Sequence, residues 1–302
     1  MDNKDLAMGG QAVIEGVMMK SPGLIVTSVR KTNGEIVSRV EPFLSITKRY
    51  RLLGIPVLRG GVLLFEQLYH GIRSLTYSAE VASAGEGEVK EDRSWKSRVW
   101  AGLTVIFALG LGLVLFFYIP LMIASRTGVK GSIGFNVIDG LVRLAIFFAY
   151  LGLLNLWKEM RRVFEYHGAE HKSIHAYEHG EDLSVENVRK YTTRHPRCGT
   201  SFLLIVMVVS IVVFVFMGRP DTISERLLRL LVVPLIAGVS YEITRLAGRH
   251  RDALVMRIIT APGLALQRFT TREPSPDQIE VALEALKHAV GAEVETGNVG
   301  SD

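Results

Sequence analysis

The stretch Trp100 to Ala124 contains no charged residue. At about 1.5 Å of rise per residue, a helix of that length crosses the ~30 Å hydrocarbon core of a bilayer with some tilt. Trp100 and Tyr118 stand near its ends, where aromatic belts form. Ser201 to Gly218 is a second uncharged block, rich in Val and Ile. Both blocks are longer than the apolar faces of ordinary core helices, and they make lipid the solvent for much of this chain.

Two further segments follow the same logic less cleanly. Val137 to Trp157 encloses Asp139 and Arg143, but at i,i+4 these share a helix face and can pair. Leu227 to Leu246 has a short uncharged centre, Leu230 to Tyr241. Arg229 is expected to snorkel toward the interface, and Glu242 to lie near it or face inward. Pro234 and Gly238 are tolerated in membrane helices.

Charge arbitrates the count. Four spans put both termini on one side, together with the connection 158–200, which carries Lys158, Arg161, Arg162, Lys172, Arg189, Lys190, Arg194 and Arg197. The opposite connections, Ser125 to Asn136 and Arg219 to Arg226, are short and poorer in Lys and Arg. The positive-inside rule therefore predicts cytoplasmic termini and a cytoplasmic middle connection. The formal charge of +5 then fits an anionic membrane surface. No basic patch interleaved with aromatics is present, so nucleic acid is not an expected partner. The single cysteine, Cys198, excludes an intrachain disulfide, and no cleavable signal peptide is expected at the N-terminus.

The expected fold is mainly α: a polytopic membrane bundle of about four spans, a small N-terminal α+β cytoplasmic region, and a C-terminal amphipathic helix. Residues 1–80 form the N-terminal region. Its short β-prone runs lie around the turn signals Ser21-Pro22-Gly23 and Asn33-Gly34, and a helical pattern runs from Pro56 to Tyr77. That helix is expected on the membrane or against the spans. Residues 81–97 read as a linker and 98–260 as the bundle. Residues 261–302 hold a helix opened by Ser275-Pro276-Asp277-Gln278 and ending near Val290, then a polar tail. The second span is expected to run on as helix from Leu151 to His179, since no proline intervenes.

The chemistry concentrates in Tyr166 to His179. Histidines stand at 167, 171, 175 and 179, each four residues after the last. On a helix this spacing sets His167, His171 and His175 on one face, and two imidazoles at i,i+4 can bind one transition metal. His167-x-x-Glu170-His171 spells a pattern in which two histidines bind zinc and the glutamate acts as base. Before the third span, His195 and Cys198 are further ligand candidates, as is Glu242 at the cytoplasmic end of the fourth. The expectation is that His167 and His171 face the bundle interior, with His195 or Glu242 reaching the same point. The bland alternatives are a solvated helix face or a histidine pH sensor. At the N-terminus, Gly9 to Met19 holds one acid, Glu15, in a glycine-flanked apolar strand. Glu15 either sits in water on an edge strand or points into a site.

Taken together, the runs Gly9 to Met19, Tyr166 to Tyr177 and His195 to Thr200 resemble the YqhQ-like bacterial membrane family. That family is a domain of unknown function described as predicted metal-dependent enzymes. The resemblance implies a bacterial inner-membrane location and a metal site; it supplies no substrate.

Three functions are compatible with these residues. One is a metalloenzyme, with a divalent transition metal (zinc first) on His167, His171 and one of His175 or His195, and Glu170 as general base, hydrolysing a lipid or membrane-associated substrate. Another is a non-enzymatic membrane factor that binds a membrane-protein or lipid-linked partner, with a structural metal or polar cluster. The third is metal or ion transport.

Overall fold

The computed structural model describes residues 8–84, 95–249 and 253–297. Four strands open the chain: β1 (Gly9–Val13), β2 (Gly16–Lys20), β3 (Leu24–Arg30) and β4 (Ile36–Pro42), in an antiparallel meander of order β1-β2-β3-β4. A turn forms at Asn33-Gly34, with Gly34 at φ 89° and the Asn33 side chain accepting from Glu35 N at 3.0 Å. Residues 31–35 join the paired Arg30 and Ile36, a longer connection than the tight Asn33-Gly34 hairpin expected. Glu15 is not on an edge strand. It occupies the tight turn between β1 and β2 with φ 50°, a left-handed conformation uncommon outside glycine.

Period-two alternation splits the sheet between two cores. Val17, Met19 and Val26 face one side and Val13, Met18, Ile25 and Val29 the other. The second face is covered by α2 (Leu58–Ser83), through Val81 and Tyr77. The first face is covered by α11 (Pro276–Gly297), through Ile279, Leu283 and Leu286, and by α6 (Lys158–Glu178), through Tyr166 and Ala169. The N-terminal sheet, α6 of the middle connection and α11 thus pack into one body. Alternating apolar residues in three distant segments can bury themselves only by meeting one another.

Among the described residues, four helices are long and apolar enough to cross a membrane: Gly102–Arg126, Ser132–Leu154, Gly199–Met217 and Ile223–Gly248. The first joins α3 (Trp95–Leu113) to α4 (Ile119–Arg126) through a wider π turn; the others are α5 (Ser132–Leu154), α8 (Gly199–Met217) and most of α9 (Ile223–Arg249), while α1 (Ile46–Arg49) and α7 (Val185–Arg189) are single short turns of helix outside them. Of the linker expected at 81–97, residues 81–83 and 95–97 are helical. α2 reaches Ser83 and α3 begins at Trp95, with residues 85–94 outside the described set. α10 (Leu254–Thr270) runs across the boundary expected at 260 and packs on α8, Gly263 lying against Ser201. α11 continues past Val290 to Gly297; residues 298–302 of the expected tail lie outside the described set.

Asp139 and Arg143 pair at 2.7 Å as their spacing predicts. Arg229 does not snorkel. It is buried, donating to Asn136 Oδ1 at 2.6 Å and the Gly218 carbonyl at 2.5 Å, with its guanidinium 4.7 Å from the Phe214 ring centre. These protein acceptors, supplied by α5 and the end of α8, satisfy the Nη2 end of the guanidinium.

The helix expected from Leu151 to His179 is broken. α5 ends at Leu154, and Trp157 is extended before α6 starts. Asn155 closes the corner: its side chain donates to the Phe269 carbonyl at 2.7 Å, and its own carbonyl accepts from Arg161 Nε at 2.6 Å. These bonds replace the helical ones lost at the bend, and they turn α6 away from the α5 axis and onto the sheet.

Candidate metal centre

Two extended segments and β1 clamp α6. At Gly168 a side chain would strike the Arg272 carbonyl and the Thr193 methyl group, so the segments after α10 and before α8 press on the helix backbone. That closeness brings main-chain carbonyls to three successive histidines. His167 Nδ1 meets the Thr270 carbonyl at 2.8 Å, His171 Nδ1 the Thr193 carbonyl at 2.6 Å, and His175 Nε2 the Arg194 carbonyl at 2.9 Å.

A carbonyl only accepts, so each of these ring nitrogens carries the proton. His167 and His171 are thereby left with a lone pair on Nε2. Both lone pairs aim at one place. Cys198 Sγ is 3.3 Å from His167 Nε2, and the three ligand atoms of His167, His171 and Cys198 all lie within 4.8 Å of one another. Cys198 caps α8, its sulfur accepting from Thr200 N at 3.4 Å, where the helix dipole favours a negative atom. Carbonyls that orient histidines through their far nitrogens are the usual outer layer of a metal site.

Glu170 stands beside this group. Its Oε2 is 3.4 Å from His171 Nε2, and the Gly10 amide of β1 donates to its carboxylate. Burial pushes the Glu170 carboxyl up from its ordinary range, opposed by His167, His195 and the Gly10 amide. Burial likewise pushes the His171 imidazole down, against the Cys198 hydrogen bond. A neutral imidazole is the form that binds metal.

His175 and His195 belong to a second group, with Glu178. His195 Nδ1 accepts from Arg197 N at 3.3 Å and its Nε2 donates to Glu178 Oε1 at 3.1 Å; Arg197 also pairs with Glu178. In this arrangement the His195 nitrogen that faces the carboxylate carries a proton, so the second group is built as a charge-and-proton network. Burial pushes His175 down to about 4. The two groups touch: the His171 and His195 ring centres are 5.7 Å apart.

Glu242 is not brought to either group. Arg59 of α2 grips both its oxygens, at 2.7 and 2.5 Å, and Val57 N donates to it at 3.3 Å. A bidentate guanidinium partner satisfies the carboxylate that was expected to reach inward. Glu15 is also engaged elsewhere, by Arg162 of α6 at 2.5 Å through Nε and by Tyr166 Oη at 3.3 Å. The residues that sequence reasoning missed are Glu178, Gln267 and Gly10. Glu178 stands three after His175 on the same face, a signal that was available. Gln267, whose side chain brackets the His195 backbone at 2.7 and 2.8 Å, and Gly10, whose amide meets Glu170, carry no such signal.

The class defined by this fold and site is a helical protein with four membrane-length apolar helices, joined to a sheet-and-helix body at a buried His/Cys/Glu cluster. The family model described as "Protein of unknown function (DUF1385)" matches residues 55–292, and the chain belongs to that family. The "Uncharacterized protein YqhQ" of Bacillus subtilis (strain 168) is 32% identical over 304 residues, covering 95% of this chain and 93% of that protein. The expected kinship with YqhQ-like proteins therefore holds. No solved structure matches the chain.

Proposed function

We propose that this chain is a multi-pass protein of the bacterial inner membrane, with both termini cytoplasmic, that holds a divalent transition metal on His167, His171 and Cys198. The observation that carries the reading is the pair of Nδ1 tethers that aim two Nε2 lone pairs at one sulfur. The nitrogen and sulfur donor set suits zinc best. Three ligands leave a tetrahedral position open, and Glu170 adjoins the group without being one of its three members. This favours a hydrolase over a closed structural site, with Glu170 taking and returning a proton. A zinc ion there would supply Lewis acidity toward a water or a carbonyl. The place of the cluster, beside the start of an apolar helix, suggests a lipid or membrane-associated substrate. The distribution of Lys and Arg supports the orientation.

A second reading has its own observation: Glu170, His171 and Cys198 are all buried. That fits a structural metal in a non-enzymatic factor that binds a membrane-protein or lipid-linked partner.

Metal analysis of the purified full-length chain tests the site. Wild type and Glu170→Gln are expected to carry stoichiometric zinc, as is the control His288→Ala on the exposed side of α11. His171→Ala is expected to lose it. Equal metal in wild type and His171→Ala would remove the assignment. If the metal is confirmed, its exchange with added chelator separates the readings, since a closed structural site gives it up far more slowly than an open one.

A further inference from the structure

The helix α2 is built inside out for water. A surface helix normally buries its large apolar side chains and exposes small or polar ones. In α2 the protein-facing positions include Gly60, Gly61, Gly71, Ser74 and Ser78, all buried. The open positions include Leu58, Phe65, Leu68, Tyr69 and Leu75, with Phe65 59% and Tyr69 61% exposed. The small residues are required where they stand. A Cβ on Gly71 would lie 2.6 Å from Gln11 Oε1 of β1, and one on Gly60 would lie 2.7 Å from Gly238 Cα of α9. The buried face of α2 is already packed to contact, and the large apolar side chains on its other face stay exposed among the described residues.

The segment before α2 repeats the pattern. Glu66 accepts from Ser45 Oγ at 2.9 Å and from Ile46 N at 2.5 Å, which folds residues 45–57 back along the first turns of α2 as a hairpin. Its tip exposes Leu52 (79%) and Ile55, and beside them lie the exposed cations Lys48, Arg49 and Arg51. Arg73, the cation on the open side of α2, is paired with Glu41 at 2.5 Å.

We propose that this face is immersed in the cytoplasmic leaflet, with α2 as an in-plane membrane helix beside the four spans. The inference rests on the membrane reading above and adds an element to it. Three observations select lipid as the occupant. Gly61 of α2 lies 3.2 Å, measured from an added Cβ, from the carbonyl of Pro234, in the interior of the candidate span Ile223–Gly248, so the start of α2 shares the depth of a lipid-crossing helix. Large apolar residues on the open face and cations at its edge are the pattern of a helix lying in the interface. The cations stand where anionic headgroups would meet them.

The test uses the full chain in vesicles of phosphatidylethanolamine and phosphatidylglycerol containing acyl-chain spin-labelled lipid. Phe65→Cys and Tyr69→Cys, both at exposed positions, are made singly and labelled with an environment-sensitive fluorophore. Phe107 on α3 (72% exposed) serves as the lipid control and Lys287 on α11 as the aqueous control; the unsubstituted chain corrects for labelling of Cys198. The expected result is quenching of positions 65 and 69 by spin-labelled lipid to the same extent as position 107, with protection from iodide. Iodide quenching at 65 and 69 like that at 287, with 107 still lipid-quenched, overturns the proposal and leaves the spans standing. Shielding from both quenchers means that a protein surface, from a partner or a second copy, covers the face, and also overturns it. Iodide quenching at 107 instead defeats the four-span reading, and this proposal falls with it.

Discussion

Gly10 faces Glu170 with no space between them: a Cβ there would lie 2.7 Å from Glu170 Cγ and 2.8 Å from the Met18 carbonyl. Gly10→Ala is therefore expected to destabilise the protein by about 1–3 kcal/mol through overpacking. Part of that cost comes from the glutamate side chain, so it should shrink when Glu170→Ala is also present. Thermal unfolding of both singles and the double measures the coupling; strict additivity would mean that Gly10 and Glu170 do not touch. Much of the cluster was legible residue by residue. The four-residue spacing placed His167 and His171 together, while Cys198 was one of several candidates on the same membrane face and His195 or Glu242 was expected in its place. The ring nitrogen that each histidine offers was not legible, because it is decided by the carbonyls of Thr193 and Thr270, far away in sequence.

Among elements, the crossing of α2 on α9 leaves least room for change. A side chain at Gly238 would collide with the Val57 carbonyl, and Val57 itself has φ 69°, strained for a β-branched residue. The Arg59–Glu242 pair sits at the same junction. Gly238→Leu should lower the unfolding temperature in detergent by an amount corresponding to a few kcal/mol or should detach α2 altogether. Gly102→Leu, on α3 where nothing lies within 4 Å, should leave it unchanged. Equal effects at the two glycines would contradict the crossing. The apolar length of α9 was visible in the sequence, but its partner was not: Gly238 and Pro234 read only as residues a membrane helix tolerates.

At the scale of the whole molecule, the sheet at the start of the described chain meets α11 near its end. Leu286 of α11 is fully buried in the core that also holds Val17, Met19 and Val26 of the sheet. Leu286→Ala should cost about 2–5 kcal/mol. It should also raise hydrogen exchange across β2 and β3, while exchange in α3 stays as in wild type. Unchanged protection in the sheet would show that the two ends fold independently. The orientation of the bundle is tested by cysteine labelling at Gly128 and Asp221, in the two connections expected to face outward. Both should react in intact cells with a reagent that cannot cross the membrane. Shielding of both, beside a labelled periplasmic control, would overturn the four-span topology.

The sequence by itself determined the helices that can cross a bilayer, the later strands β3 and β4 of the small sheet and the face shared by the histidines. Each of these depends on composition or periodicity within a single segment, where the physics is local: length against bilayer thickness, two residues per pleat, 3.6 per turn. The fold of Gly9 to Met19 into two strands around Glu15 was not legible. Only the tertiary structure decided that α6 breaks from α5 at Asn155, that His195 joins Glu178 rather than Cys198, and that Glu242 answers Arg59. Those outcomes depend on which buried donor finds which acceptor. A buried polar group takes whatever partner the packing brings within about 3 Å, and that choice is made between segments a hundred or more residues apart as readily as between neighbours.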